Sequence, residues 1–182
     1  MKKPRALLPR GHAIRPPPAN VLVFLSLAVA YLLVLLPWPD AQRWLLPEFV
    51  LLPLVYWHIH APRPIGLGAA FFLGLLLDLT HGILIGLYAV TYVLVAFVIL
   101  TLRRRLDRFP PTAQALQVAP VFFGQAVLFW LIGLMFGLPQ ADDRFLAGTA
   151  ITALLWWGLA TTLDRLTGRV PLGQDNEVDP RK

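Results

Sequence analysis

Residues 52–86 read LPLVYWHIHAPRPIGLGAAFFLGLLLDLTHGILIG. Two apolar segments flank a short basic turn, Pro62-Arg63-Pro64, and the second segment carries Asp78 at its far end. A carboxylate beside that much hydrocarbon is costly unless it reaches an interface, a partner or water. Small residues recur at four-residue spacing around it, with Gly66, Ala70 and Gly74 before it and Gly82 and Gly86 after it. That spacing lines one face of a helix and predicts backbones held in close contact inside a membrane.

The rest of the chain supports that setting. Of 182 residues, 57% are hydrophobic and 14% charged, with a mean hydropathy of +0.65, too apolar for a soluble domain of this length. Segments 19–36 and 84–102 hold no charge up to the last residue, and 118–138 and 145–163 are of similar length. Each can cross a hydrocarbon core of about 30 Å at about 1.5 Å per residue. Segments 45–59, with Glu48, and 65–79, with Asp78, are shorter. They are either thin spans or helices buried in the bundle and shielded from lipid. The expected fold is all-α: a polytopic membrane protein of six transmembrane helices.

Charge supports the count. With the N-terminus inside, fourteen of the sixteen Lys and Arg fall in inner segments: Lys2, Lys3, Arg5, Arg10, Arg15, Arg63, Arg103, Arg104, Arg105, Arg108, Arg165, Arg169, Arg181 and Lys182. Only Arg43 and Arg144 fall outside. Six spans with both termini cytoplasmic give this asymmetry, whereas losing one short span would place Arg103–Arg105 outside. The basic balance therefore reads as topology facing an anionic leaflet, and no aromatic-interleaved nucleic-acid patch accompanies it. Cysteine is absent, which excludes disulfides and thiolate chemistry. No cleavage site follows the first span, so it is expected to stay as an anchor.

Three regions follow: a basic, proline-rich cytoplasmic leader (1–18), one six-helix transmembrane domain (19–163) and a polar cytoplasmic tail (164–182). Pro37-Trp38-Pro39-Asp40 stops span 1, with Trp38 and Trp44 at the outer interface. Pro47 fits a first helical turn, and Pro53 is expected to kink span 2. Tyr56, Trp57, His58 and His60 are expected at the inner interface. Spans 3 and 4 form a hairpin around 80–82. The inner loop begins as a helix extension broken at Pro110-Pro111, and Gly133-x-x-x-Gly137 in span 5 is a second close-packing signal. The outer turn 139–143 is short and acidic.

Asp78 has two readings: a buried carboxylate that organises a pocket or bonds to a neighbouring helix, or an outer helix end meeting water or bonding around Thr80 and His81. Glu48, just after Pro47, either caps the first turn of span 2 or lines a pocket, and it could share a polar cavity with Asp78. His58 and His60 are two residues apart and do not share a helix face, while His81 belongs across the membrane, so no metal site is expected. Ser26 is the only serine and sits mid-span, and the lysines are terminal. No nucleophile motif, P-loop, catalytic residue or cofactor site is expected.

The order Pro53-Leu-Val-Tyr56-Trp57, Pro62-Arg63, Phe71-Phe72-Leu73-Gly74-Leu75-Leu76-Leu77-Asp78, then Gly82 and Gly86 before Tyr92, resembles the MreD family of bacterial rod shape-determining proteins. The resemblance implies a non-enzymatic inner-membrane scaffold of cell elongation. It would couple MreC, and with it MreB filaments, RodA and a class B penicillin-binding protein, to lateral peptidoglycan synthesis. It also implies a fold like the substrate-binding subunits of energy-coupling-factor transporters, so a vitamin-type binding subunit is the rival function. Span 1 lacks the Ala-x-x-x-Ala groove expected of that rival, because Leu32 follows Ala28 by four. The residues singled out for structure or partner contact are Glu48, Pro53, Trp57, Pro62, Gly74, Asp78, Gly82, Gly86, Gly133 and Gly137.

Overall fold

The computed structural model describes residues 20–39, 45–82, 84–138 and 145–168. The leader, residues 169–182 of the tail, Trp44 and the acidic outer turn lie outside the described residues. Among the described residues the fold is all-helical, with no strand. Six helices run in order: α1 Asn20–Leu35, α2 Leu51–His60, α3 Leu67–His81, α4 Leu87–Leu106, α5 Pro111–Met135 and α6 Phe145–Leu166. By length and composition α4, α5 and α6 can cross a membrane, whereas α1 and α3 are apolar but shorter. The chain is a membrane protein.

The unusual element is α2. Its 10 residues extend only about 15 Å, half a bilayer core. Residues Leu51 to Ile59 are all buried, so this helix is apolar on every side because protein surrounds it. It packs against α4, α1 and α6, while α3 pairs with α4, and α5 with α6 and α4. Of the two readings of the short second segment, burial within the bundle holds.

Several expectations are corrected here. Residues 46–50 are not helical, so Pro47 and Glu48 precede α2 rather than occupy its first turn. Pro53 is the third residue of α2, where its missing N–H breaks no bond within the helix. Tyr56, Trp57 and His58 are fully buried, so this end of α2 packs inside the bundle. The Trp57 indole N–H donates to Ser26 Oγ at 2.8 Å, and that hydroxyl donates to the Val23 carbonyl at 2.9 Å, so the lone serine joins α2 to α1.

Contacts sort the charges by end. Arg103 Nε donates to the Ile59 carbonyl at 2.8 Å, His60 Nε2 lies 3.8 Å from Asp107, and the Tyr56 hydroxyl donates to Asp164 at 2.7 Å. The C-terminal ends of α2, α4 and α6 therefore share one end of the bundle. Every described arginine (Arg63, Arg103, Arg104, Arg105, Arg108 and Arg165) lies at that end. Pro62-Arg63-Pro64 forms the expected turn there. Pro111 opens α5, where a missing N–H costs nothing, and the Gln114 amide donates to the Leu106 and Phe109 carbonyls, both at 3.0 Å. Glu48 and Asp78 lie at the opposite end.

Candidate functional site: a carboxylate-capped hairpin and its tether

The hairpin of α3 and α4 begins with the glycine at position 74. A Cβ there would lie 2.5 Å from Ala89 Cα, 2.6 Å from Ala89 N and 2.7 Å from the Tyr88 carbonyl carbon. All three atoms are backbone, so only glycine admits this approach. Ala70, one turn earlier, is also fully buried. The stripe does not continue back to the start of α3: Gly66 is exposed and a Cβ on it would meet nothing within 4 Å.

Gly82 and Gly86 serve the turn rather than the helix contact. Gly82 caps α3 with φ +62° and Gly86 caps α4 with φ +102°, conformations that cost an L side chain about 1 kcal/mol or more. They reverse the chain so that the start of α4 faces the last turn of α3.

That reversal gives Asp78 its partners. Its carboxylate accepts the N–H groups of Tyr88 at 2.7 Å, Gly86 at 2.9 Å and Ala89 at 3.3 Å. A helix start leaves its first N–H groups without intrahelical partners and carries partial positive charge. Asp78 answers both, as an N-cap supplied from the neighbouring helix. The side chain is 0% exposed, so it does not meet water. Its bonds go to Gly86, Tyr88 and Ala89 instead of the Thr80 and His81 neighbourhood; of the two readings, the bond to a neighbouring helix is the one observed. The Thr80 hydroxyl instead pairs with Tyr31 at 2.7 Å, joining α3 to α1.

Glu48 forms the tether. Its backbone N–H, left over where the chain is not helical, donates to the Thr152 hydroxyl of α6 at 2.9 Å. Its carboxylate accepts the Tyr92 hydroxyl of α4 at 3.0 Å. Non-helical backbone inside a membrane protein persists only where protein satisfies it; Thr152 takes the Glu48 N–H, while Tyr92 serves the Glu48 carboxylate. Glu48 is thus a cross-tie of α4 and α6 rather than a first-turn cap of α2. The two carboxylates meet on α4, Asp78 at its first turn and Glu48 one turn on. Tyr88 and Tyr92 pack edge to face at 5.8 Å between them, and Tyr88 also meets His81 at 5.1 Å and Phe129 at 4.7 Å.

Gly133 and Gly137 are corrected as a close-packing pair. Gly137 follows α5 with φ +65°. Its N–H reaches the Leu134 carbonyl at 3.2 Å, and the Leu138 N–H reaches the Gly133 carbonyl at 2.9 Å. This is a left-handed helix stop of the Schellman kind. The Leu138 side chain folds back to 3.8 Å from the position of a Gly133 Cβ, so the two glycines end a helix and do not join two within the chain. His58 Nδ1 and His81 Nδ1 each bond a carbonyl four residues back, at 2.8 and 2.9 Å. Among the described residues no group of three or more His, Cys, Asp or Glu is arranged to hold a metal ion.

The roles of Tyr92, Thr152 and Tyr56 were not read from the sequence. Each is a hydroxyl in an apolar helix, and nothing in the neighbouring sequence names its distant partner.

The family model for the rod shape-determining protein MreD matches residues 19–159. That match holds the whole hairpin, the Glu48 tether and Thr152. The rod shape-determining protein MreD of Haemophilus influenzae is 26% identical over 144 residues, covering 79% of this chain and 89% of that protein. No solved structure matches the chain.

Proposed function

From the premise that the chain belongs to the MreD family and has a role in rod shape determination, we propose that it is a non-enzymatic scaffold of the bacterial elongation machinery. In this reading it sits in the inner membrane with six crossings and both termini cytoplasmic, the short α2 completing its crossing with residues 45–50. That layout is the one expected of the substrate-binding subunits of energy-coupling-factor transporters. The arginine-bearing end faces the cytoplasm, as the positive-inside rule asks.

The partner it grips is the single span of an MreC-like protein, and through it MreB, RodA and a class B penicillin-binding protein are brought to lateral peptidoglycan synthesis. One observation carries this reading. Asp78, Glu48 and Tyr56 all bond within the chain, while Phe72, Leu76 and Leu79 stand on an apolar exterior. Helix association in lipid relies on packing and shape rather than exclusion from water, so a bundle whose helices are cross-tied offers a fixed surface for a partner helix.

The test is complementation in a rod-shaped bacterium depleted of its own MreD, read by cell shape and by co-purification of MreC. The wild-type chain should restore rods and retain MreC, and Gly74→Leu should do neither. Rods restored without MreC retention would defeat the scaffold reading.

A further inference from the structure

The exposed face of α4 changes character along its length. Val90, Leu94, Phe97, Val98 and Leu102 are exposed apolar residues, and Arg104, Arg105 and Arg108 are exposed beyond them. Positions 90, 94, 97 and 104 recur at helical spacing and Arg108 follows in the turn after α4, so a stripe of hydrocarbon runs along one face into a cluster of guanidinium groups. From Phe97 to Arg104 the rise is about 10 Å.

Arg103, on the inner side, is occupied by the Ile59 carbonyl. Asp107, the carboxylate inside the cluster, is drawn to His60 at 3.8 Å. Arg104, Arg105 and Arg108 make no ion pair or hydrogen bond with the described residues. Three unpaired guanidinium groups next to exposed hydrocarbon ask for a ligand with both characters. Guanidinium groups hold phosphate oxygens through two parallel N–H bonds, which a lysine cannot do.

We propose that the end of α4 binds an anionic phospholipid, with acyl chain against Leu94, Phe97 and Val98 and phosphate headgroup on Arg104, Arg105 and Arg108. The occupant is a lipid because the apolar stripe leads directly into the charge, a layout that free phosphate or an acidic cytoplasmic segment leaves half unused. The site is independent of the scaffold reading and of which side of the membrane the basic end faces.

The test uses the full chain in detergent micelles doped with dioleoylphosphatidylglycerol or dioleoylphosphatidylcholine, with bound lipid counted by native mass spectrometry. Retention of the phosphatidylglycerol about tenfold above the phosphatidylcholine is expected, since cations favour a headgroup of net negative charge. R104Q, R105Q and R108Q should each lower that preference, and the triple variant should abolish it. Because the triple variant also removes topology charge, the triple Arg→Lys variant is measured beside it and should keep a weaker preference. Equal retention of the two lipids by the wild-type chain, or an unchanged preference in the triple Gln variant, would overturn the site. So would competition by inorganic phosphate alone at millimolar concentration.

Discussion

Asp78 in the last turn of α3 accepts the backbone N–H of Tyr88 in the first turn of α4 at 2.7 Å, and it does so with no exposure to solvent. A side chain from one helix therefore completes the start of the next. The two helices come close enough for this only because position 74, one turn before Asp78, has no side chain.

Replacing Asp78 tests the cap. Asp78→Ala leaves one buried and two partly buried N–H groups without their acceptor, and a buried group so left costs about 1–3 kcal/mol. Asp78→Asn keeps one oxygen acceptor and should be the milder change. Thermal unfolding in detergent should rank wild type above Asn and Asn above Ala; an Ala variant as stable as wild type would show the cap to be energetically idle.

Gly74→Ala tests the approach that makes the cap possible. The added methyl meets backbone atoms of Tyr88 and Ala89, which cannot rotate away, so the cost should reach the upper part of the about 1–3 kcal/mol typical of overpacking. Separating the helices also lengthens the Asp78 bonds. The double variant with Asp78→Asn should then be non-additive by about 0.5–3 kcal/mol, and strict additivity would mean the two features act separately.

Tyr92→Phe removes the donor to Glu48 and leaves the ring packing intact. A side-chain hydrogen bond in a membrane protein contributes about 0.6 kcal/mol on average and up to about 1.7, so a loss in that range is expected. Combined with Glu48→Gln, it should cost little more than the larger single change. Two fully additive losses in a double-mutant cycle would deny the tether.

The two glycines that end α5 should behave differently. Gly137→Ala forces an L residue into the left-handed region and should cost about 1 kcal/mol. Gly133→Ala places its methyl at an ordinary 3.8 Å from Leu138 and should be nearly neutral. Unfolding midpoints of the two variants decide this, and equal losses would restore the pair as a packing motif.

Much of the fold was legible from residues 52–86 and the charges around them. The hairpin of α3 and α4, the stiff turn at Arg63, the stop at Pro110-Pro111 and the close contact at Gly74 all follow from local rules: apolar length, proline geometry and small-residue spacing. The family resemblance came from the same stretch. The partners of the polar side chains were not legible. Asp78 bonds residues 8 to 11 positions away, Tyr92 bonds Glu48 across 44 positions, and Thr152 bonds Glu48 across 104.

The sequence alone therefore determined that this is a helical membrane protein, roughly where its apolar helices lie, and that Arg63, Arg103–Arg105, Arg108 and Arg165 belong together, as their place at one end shows. Those properties depend on each segment's own hydropathy and turn chemistry, which the linear order carries in full. Only the tertiary structure decided that α2 is a half-length helix enclosed by the others, that Glu48 is a tether and not a cap, and that Asp78, in the last turn of α3, is the N-cap of its neighbour. A buried polar group takes whichever partner the packing of distant segments brings within 3 Å or so, and that proximity is a property of the assembled bundle.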